Sequence, residues 1–284
     1  MTPINAPNPG TVIKSRVRLV PGRAQIREAN MTALGKIAAI LAIFTWPLAG
    51  PIAAEEKVGS TVESRVLLGL NVDEMAIGKW LPEGWQPVTL GQGPMGGSNL
   101  ILALIDRHVI LDADGAPESP ASGPTVAFLV YGKSDGNERP RGFVVRVYEE
   151  EPLVSPYGNS VAADIGRQAH FSDPGGGART IGEEWIVQTG SGMLEIDLSA
   201  VVRGFRWATG GVSKPYSSLT PDFFRIYRYD QLVGVGKSSA MGIPLAGTAT
   251  LSVTDPDLAA VFDGSETLEA IVASPVYLRD IYLP

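Results

Sequence analysis

Short runs of apolar and β-branched residues, separated by turn residues, make up most of the sequence after residue 54. Two runs, 125–131 and 142–148, flank the polar segment 132–141, and this order predicts a β-hairpin. Residues 184–188 and 193–198 form a second pair, joined by the tight-turn sequence TGSG. Further strands are predicted at residues 65–70, 99–105, 109–111, 223–229, 232–236, 247–253 and 268–283.

Helix-forming residues are confined to two short segments. Residues 72–80 begin with Asp73 and Glu74 and end before the sequence LPEG. Residues 255–262 are the other helix candidate. The order of these elements predicts an α+β protein with mostly antiparallel strands, arranged as a sheet, a barrel or a double sheet with one or two small helices.

The first 54 residues differ from the rest of the chain. Residues 37–51 are apolar and uncharged, Lys36 precedes them, and small residues follow up to Ala54. This order is typical of a secretory signal cleaved after Ala54, and it is shorter than the roughly 20 apolar residues of a membrane span. We therefore expect an exported protein, periplasmic or secreted, with a single domain at 55–284 and no stable membrane association after cleavage. The alternatives are an uncleaved N-terminal anchor and, for the extension before the signal, a true start at Met31.

Charge and rare residues exclude several functions. Residues 1–54 carry a net charge of +5 and the remainder carries −12, and this acidic body argues against nucleic acid as a partner. The chain has no cysteine and only two histidines, which excludes thiolate chemistry and a three-histidine metal site. Asp112, Asp114 and Glu118 lack the spacing of a calcium loop. We therefore predict neither a metal nor a cofactor.

Three stretches of the domain carry a resemblance to a known family. The strand at 65–70 (RVLLGL) is followed by a short helix and LPEG, and residues 157–162 (YGNSVA) follow the strand at 142–148. The chain ends with a valine-containing strand, a bend and the sequence RDIYLP. In this order the stretches resemble the acetoacetate decarboxylase-like superfamily over about residues 60–284. The resemblance implies an α+β fold, mostly antiparallel and shaped as a β-barrel or cone with a few short helices, and it implies a homo-oligomer.

The sequence departs from this family at the position of its chemistry. Family decarboxylases form a Schiff base between a β-keto acid and a lysine whose pKa is lowered by a neighbouring lysine and by burial. Asn159 and Ser160 stand at that position here, and the chain has no Lys-Lys pair. The family's glutamate has no clear counterpart, and Asp112, Asp114 and Glu118 stay open as replacements.

Arg65 is the family site residue that the sequence keeps. Aimed into a barrel, its guanidinium would bind a carboxylate through two hydrogen bonds; the alternative is an ion pair at a surface strand edge. Lys214 and Lys237 have no neighbouring base in the sequence. We therefore expect both to be exposed loop lysines, and we expect no Schiff-base chemistry.

Three functional hypotheses follow. The preferred one is a protein that binds a small, partly apolar carboxylate, such as a keto acid, inside the barrel. The expected ligand-binding residues are Arg65, Tyr157, Asn159, Ser160, Trp185 and Trp207. The aromatic members of this set also suit ordinary core packing.

The second hypothesis is a divergent lyase, either a decarboxylase or an enzyme of the hydratase or aldolase type. It would use Arg65 to orient a keto acid and Glu184 or Glu195 to transfer a proton. The third hypothesis is an interaction module with no small ligand. A buried polar pocket separates the first two hypotheses from the third.

Overall fold

The computed structural model describes residues 55–136, 139–150 and 155–284. The predicted export segment at 1–54 lies outside the described residues. Strands make up most of the described part of the chain, which also contains two short helices. Its elements are β1 (Glu56–Asn71), α1 (Glu74–Gly78), β2 (Trp85–Pro87), β3 (Leu100–Leu111), β4 (Gly123–Ser134), β5 (Arg141–Glu149), β6 (Ser160–Ala162), β7 (Asp164–Gly175), β8 (Ala178–Gln188), β9 (Met193–Ser213), β10 (Tyr216–Ser217), β11 (Ile226–Ser238), β12 (Gly247–Val253), α2 (Pro256–Ala259) and β13 (Thr267–Leu283).

The main sheet is mostly antiparallel and returns on itself. Its order is β10-β5-β4-β3-β1-β13-β11-β9, with β2 paired to β4 and β6 paired to β5. β10 pairs in parallel with β5 at one edge, and two residues separate β10 from the end of β9 at the other edge. The chain itself therefore joins the two edges of the sheet. This arrangement confirms the predicted α+β fold with a barrel-like or cone-like sheet.

β9 is shared between two layers of the molecule. Its first half, up to Val202, pairs with β8, and its second half, from Arg203, pairs with β11. Gly204 follows this point with a φ of 65°, a left-handed conformation that favours glycine. The first half of β9, together with β7, β8 and β12, forms a second layer. Its apolar residues share one core with the main sheet.

Alternation along β1 divides its side chains between two environments. Val66, Leu68 and Leu70 are buried in the core between the layers. Arg65 and Leu67 point to the opposite face of the sheet. Each fully buried aliphatic side chain contributes about 1.5–3 kcal/mol, so the interlayer core fixes the orientation of the polar face as well.

Both predicted helices form, but each is shorter than expected. The Asp73 carboxylate accepts a hydrogen bond from the Ala76 backbone nitrogen at 2.9 Å, and Asp255 accepts one from Asp257 at 2.9 Å. These caps define where α1 and α2 begin. Neither helix, nor any other in the described ranges, has the length and hydropathy needed to span a membrane.

The two predicted strand pairs are confirmed. β4 and β5 pair antiparallel across the polar segment, and β8 and β9 pair across TGSG. The runs at 99–105 and 109–111, predicted as separate strands, belong to the single strand β3. Asp106, Arg107 and His108 interrupt the apolar run but not the strand, because Asp106 and Arg107 form ion pairs at its half-buried end.

Candidate functional site

One face of the main sheet lines a cavity of about 1340 Å³. Residues of β1, β3, β4, β5, β11 and β13 line it. Its aliphatic wall is formed by Leu67, Ile101, Ala103, Ile105, Ala127, Leu129, Val144 and Val147. Typical ligand pockets measure roughly 300–1,000 Å³. The cavity therefore has room for a ligand with a substantial apolar part.

A buried carboxylate organises the polar part of this cavity. The Glu63 side chain is completely buried. Arg279 Nη2 donates to Glu63 Oε1 at 2.7 Å, and Arg65 Nε donates to Glu63 Oε2 at 2.5 Å. Thr61 Oγ1 donates to Glu63 Oε1 at 2.6 Å and accepts from Arg279 Nε at 3.1 Å. The pairing of β1 with β13 creates the cluster, because it sets Thr61 opposite Arg279 and Glu63 opposite Tyr277.

These contacts keep Glu63 ionised. Burial alone would raise the pKa of Glu63, but the charges of Arg279 and Arg65, with hydrogen bonds from Arg65 and Thr61, lower this pKa to about 2. At neutral pH Glu63 is therefore a fixed anion and has no proton to give to a substrate. Its effect is to orient two guanidinium groups, both of which line the cavity.

Arg65 keeps hydrogen-bonding capacity beyond this ion pair. Its Nη2 lies 2.5 Å from Glu63 Oε2, but the N–H groups of Nη2 are not aligned with that oxygen. This buried nitrogen donates no hydrogen bond to any described residue. The guanidinium carbon lies 3.7 Å from the centre of the Tyr277 ring, which holds the group against the cavity wall. A planar cation fixed in this way can offer its remaining N–H groups to a carboxylate.

Tyrosines surround the two arginines. The hydroxyl oxygens of Tyr157 and Tyr227 lie 2.5 Å apart, and the Arg279 guanidinium carbon lies 4.4 Å from the centre of the Tyr227 ring. Tyr277 stacks on Tyr229 with ring centres 4.9 Å apart. Burial raises the pKa of Tyr277 to about 12, and burial together with Tyr227 raises the pKa of Tyr157 well above its ordinary value. The hydroxyls of Tyr157 and Tyr277 therefore stay protonated at neutral pH and can serve as hydrogen-bond donors.

The cavity is cationic, although the domain as a whole is acidic. Its basic residues, among those the structure describes, are Arg65, Arg107, Arg139, Arg141, Lys214, Arg225 and Arg279. Its acidic lining residues in the same ranges are Glu118 and Glu149. Such a concentration of positive charge favours an anionic ligand. Within the described residues as a whole, no group of three or more histidine, aspartate or glutamate side chains is arranged to hold a metal ion.

Of the three predicted ligand-binding residues that follow β5, the structure places one in the cavity and two outside it. Tyr157 lines the cavity, as Arg65 does, whereas Asn159 and Ser160 are not among the described lining residues. Asn159 Nδ2 donates to the Val144 carbonyl at 2.6 Å, and Ser160 begins β6. These two residues attach the segment to β5. They therefore position Tyr157 and lie outside the ligand space.

The predicted tryptophans and proton-transfer acids lie outside the cavity that Arg65 lines. Trp185 is buried in the interlayer core, and Trp207 is 50% exposed on β9. Glu184 is exposed on β8, and Glu195 lies in the first half of β9. None of these four is a described lining residue of the cavity. The reason is the layering of the fold: Trp185, Glu184 and Glu195 belong to the second layer.

The two loop lysines also differ from each other. Lys214 is exposed between β9 and β10, as predicted, and it lines the cavity. Lys237 lies within β11, which corrects its prediction as a loop residue, and its Nζ donates to Ser239 Oγ at 2.9 Å. Of the three acids proposed as replacements for the family's glutamate, Glu118 lines the cavity, while Asp112 accepts backbone hydrogen bonds in a turn.

Several residues that complete the site are absent from the sequence-based predictions. Glu63 lies two residues before Arg65, so alternation along one strand places both on the same face. This spacing inside an apolar strand is a signal that could have indicated a buried ion pair. Arg279 and Tyr227 carry no comparable signal, because only strand pairing brings them to β1.

The sequence matches no protein-family model and no curated protein. Solved structures do resemble the fold. The enduracididine biosynthesis enzyme MppR complexed with pyruvate has a TM-score of 0.51 at 10% identity, covering 81% of this chain and 90% of that chain. MppR complexed with the condensation product of pyruvate and imidazole 4-carboxaldehyde has a TM-score of 0.50 at 12% identity, covering 79% and 87%. An acetoacetate decarboxylase-like enzyme from Sphingomonas wittichii RW1 has a TM-score of 0.50 at 14% identity, covering 81% and 92%.

Proposed function

We propose, from the premise that the chain has the acetoacetate decarboxylase-like fold, that it binds a small, partly apolar carboxylate in the cavity of the main sheet without forming a Schiff base. The observation that carries this proposal is the cavity itself. An aliphatic wall and a set of arginines and protonated tyrosines line the same cavity. A ligand with an apolar chain and a carboxylate, such as a keto acid, complements both parts.

The arginines support a binding role more directly than a catalytic one. Glu63 holds Arg65 and Arg279 in fixed positions, and both guanidinium groups line the cavity, where an incoming oxyanion would meet them. Because the pKa of Glu63 is about 2, this carboxylate is unsuited to act as a general acid at neutral pH. Glu184 and Glu195, the other candidates for proton transfer, lie in the second layer.

We expect 2-oxohexanoate to bind the purified protein and Arg65→Gln to weaken that binding by about 10–100-fold, as loss of a charge-assisted hydrogen bond does. Isothermal titration calorimetry measures both affinities, and Arg179→Gln, an exposed arginine paired with Asp173, is the matched control. Borohydride added with the keto acid should leave the intact mass unchanged. A reduced adduct mapped to Lys214 would overturn the part of the proposal that excludes a Schiff base. Absence of binding would overturn the proposed binding of a carboxylate.

A divergent lyase is the second candidate. It is favoured by the position of Lys214 at the cavity and by the structural likeness to MppR, whose solved complex contains pyruvate. Turnover of a keto acid by the wild-type protein, abolished in Arg65→Ala, would establish this alternative. The same borohydride experiment then tells whether Lys214 takes part.

We also propose that the protein is exported and that residues 1–54 are removed. β1 begins at Glu56, so cleavage after Ala54 leaves every described element intact. The intact mass of the protein recovered from outside the cytoplasm should correspond to residues 55–284. A mass that retains the segment 37–51 would instead support the N-terminal anchor.

A further inference from the structure

Two sets of basic residues in the cavity differ in whether a carboxylate compensates their charge. Arg65 and Arg279 contact Glu63, and Arg107 Nη1 lies 3.5 Å from Glu149 Oε2. The second group, which we call the Arg225 pair, consists of Lys214 and Arg225. Neither member forms an ion pair with a carboxylate in the described parts of the chain.

The fold holds the Arg225 pair together at one side of the cavity. The backbone nitrogen of Arg225 donates to the carbonyl of Pro215, the residue after Lys214, at 3.2 Å. Phe224 is the residue before Arg225, and the centre of its ring lies 5.4 Å from Lys214 Nζ. Two adjacent chain segments thus bring both residues to the short region where β10 pairs with β5, and both line the cavity there.

Arg225 also has an unsatisfied donor. Its Nε is buried and has no hydrogen-bond partner among the described residues. Leaving a buried charged donor unpaired is costly, and an anionic ligand group would remove that cost. In the other group, Arg65 Nη2 also donates no hydrogen bond within the described residues, although it lies 2.5 Å from Glu63 Oε2. Two separate guanidinium groups of the cavity therefore each have a nitrogen that donates no hydrogen bond in the described part of the chain.

Tyr157 links the two groups. Its hydroxyl lies 2.5 Å from that of Tyr227, whose ring lies beneath Arg279. The charges of Arg279 and of Arg225 both act to lower the pKa of Tyr157, against the larger effects of burial and of Tyr227. Both arginines therefore lie near this phenol.

We propose that Lys214 and Arg225 form a second anion-binding subsite, so that the ligand carries two anionic groups joined by an apolar segment. This inference rests on the proposed binding function and specifies its ligand class. One group binds at Arg65, the apolar segment packs on the aliphatic wall, and the second group, a carboxylate or a phosphate, binds at the Arg225 pair.

The test compares ligands that differ only in the second charge. Alkanoates and α,ω-dicarboxylates of equal length, from four to ten carbons, are titrated into the purified protein by calorimetry, with ω-phosphonoalkanoates as a third series. At the best length we expect a second anion to tighten binding by about tenfold or more, the effect of one charge-assisted hydrogen bond. The stronger of the two dianionic series identifies the second group as carboxylate or phosphate.

Variants locate the subsite. Arg225→Gln and Lys214→Gln should each reduce the ratio of dianion affinity to monoanion affinity toward one. The control is Lys237→Gln, because Lys237 lies in β11 and is not among the described residues that line the cavity. This control should leave the ratio unchanged. Equal wild-type affinities for both series at every length would overturn the second subsite while the proposed function stands. If neither series binds, the proposed function fails as well. Because the comparison of ligands uses wild-type protein, misfolding of a variant does not remove the test.

Discussion

Replacing Glu63 by Gln should lower the free energy of unfolding by about 3 kcal/mol, the low end of what breaking a buried ion pair costs. The change removes the anion between Arg65 and Arg279 and leaves two largely buried guanidinium groups without their counter-ion. Thermal denaturation followed by circular dichroism should show a melting temperature lower by about 6–12 °C for a domain of this size. The folded form of this variant should also bind the ligand more weakly, because Arg65 is no longer held in place.

The matched control is Glu184→Gln, an exposed carboxylate on β8. It removes the same charge from the protein and should change stability by less than about 0.5 kcal/mol. Adding Arg279→Gln to Glu63→Gln should restore part of the lost stability, because it removes one uncompensated cation. Equal melting temperatures for the wild type and Glu63→Gln would contradict the ion-pair role.

The acid dependence of stability provides a second measurement on the same residue. The pKa of Glu63 is about 2 in the folded protein, below its ordinary value of 4.5. The unfolded chain therefore binds the proton first, and the stability that Glu63 contributes is present above pH 4.5 and is lost as the pH falls toward 2. The difference in unfolding free energy between the wild type and Glu63→Gln should shrink from about 3 kcal/mol at pH 7 toward zero near pH 2.

The sequence predicts the strands whose apolar residues alternate or cluster, and it fails where polarity masks a strand. β4, β5 and the last five residues of β8 follow from their composition. β7 does not, because it is the last strand in the sheet order and most of its side chains are polar or small. The second half of β9 is also missed, since its side chains are largely exposed and carry no apolar period.

The candidate site shows a similar division. Arg65 is identified from the resemblance of its strand, and Tyr157 from the segment that follows β5. Arg279 lies more than two hundred residues from Glu63, and the contact at 2.7 Å depends entirely on the register of β1 against β13. A single sequence does not display that register. The sequence assigns Trp185 to the site for the complementary reason, because it does not tell which layer β8 joins.

Replacing Arg167 by Met should destabilise the protein by about 3–5 kcal/mol, because it leaves a buried carboxylate without its cation. Arg167 on β7 donates from Nε and Nη2 to Glu183 at 3.0 and 2.9 Å, and from Nη1 to Asp106 on β3. It therefore ties the second layer to the main sheet. Glu183 is almost fully buried and, among the described residues, would keep only the Trp185 indole as a side-chain hydrogen-bond donor.

Urea denaturation measures this effect, and Arg179→Met is the control, because Arg179 forms an exposed ion pair with Asp173 at 2.9 Å. Exposed pairs contribute about 0–1 kcal/mol, so the two arginine variants should differ by at least 2 kcal/mol. Combining Arg167→Met with Glu183→Gln should recover stability relative to Arg167→Met alone, since the uncompensated charge is gone. Similar losses in Arg167→Met and Arg179→Met would show that the interlayer ion pair does not hold the layers together. The layers would then depend on their shared apolar core, and the cavity on the opposite face of the sheet would not need Arg167 to keep its shape.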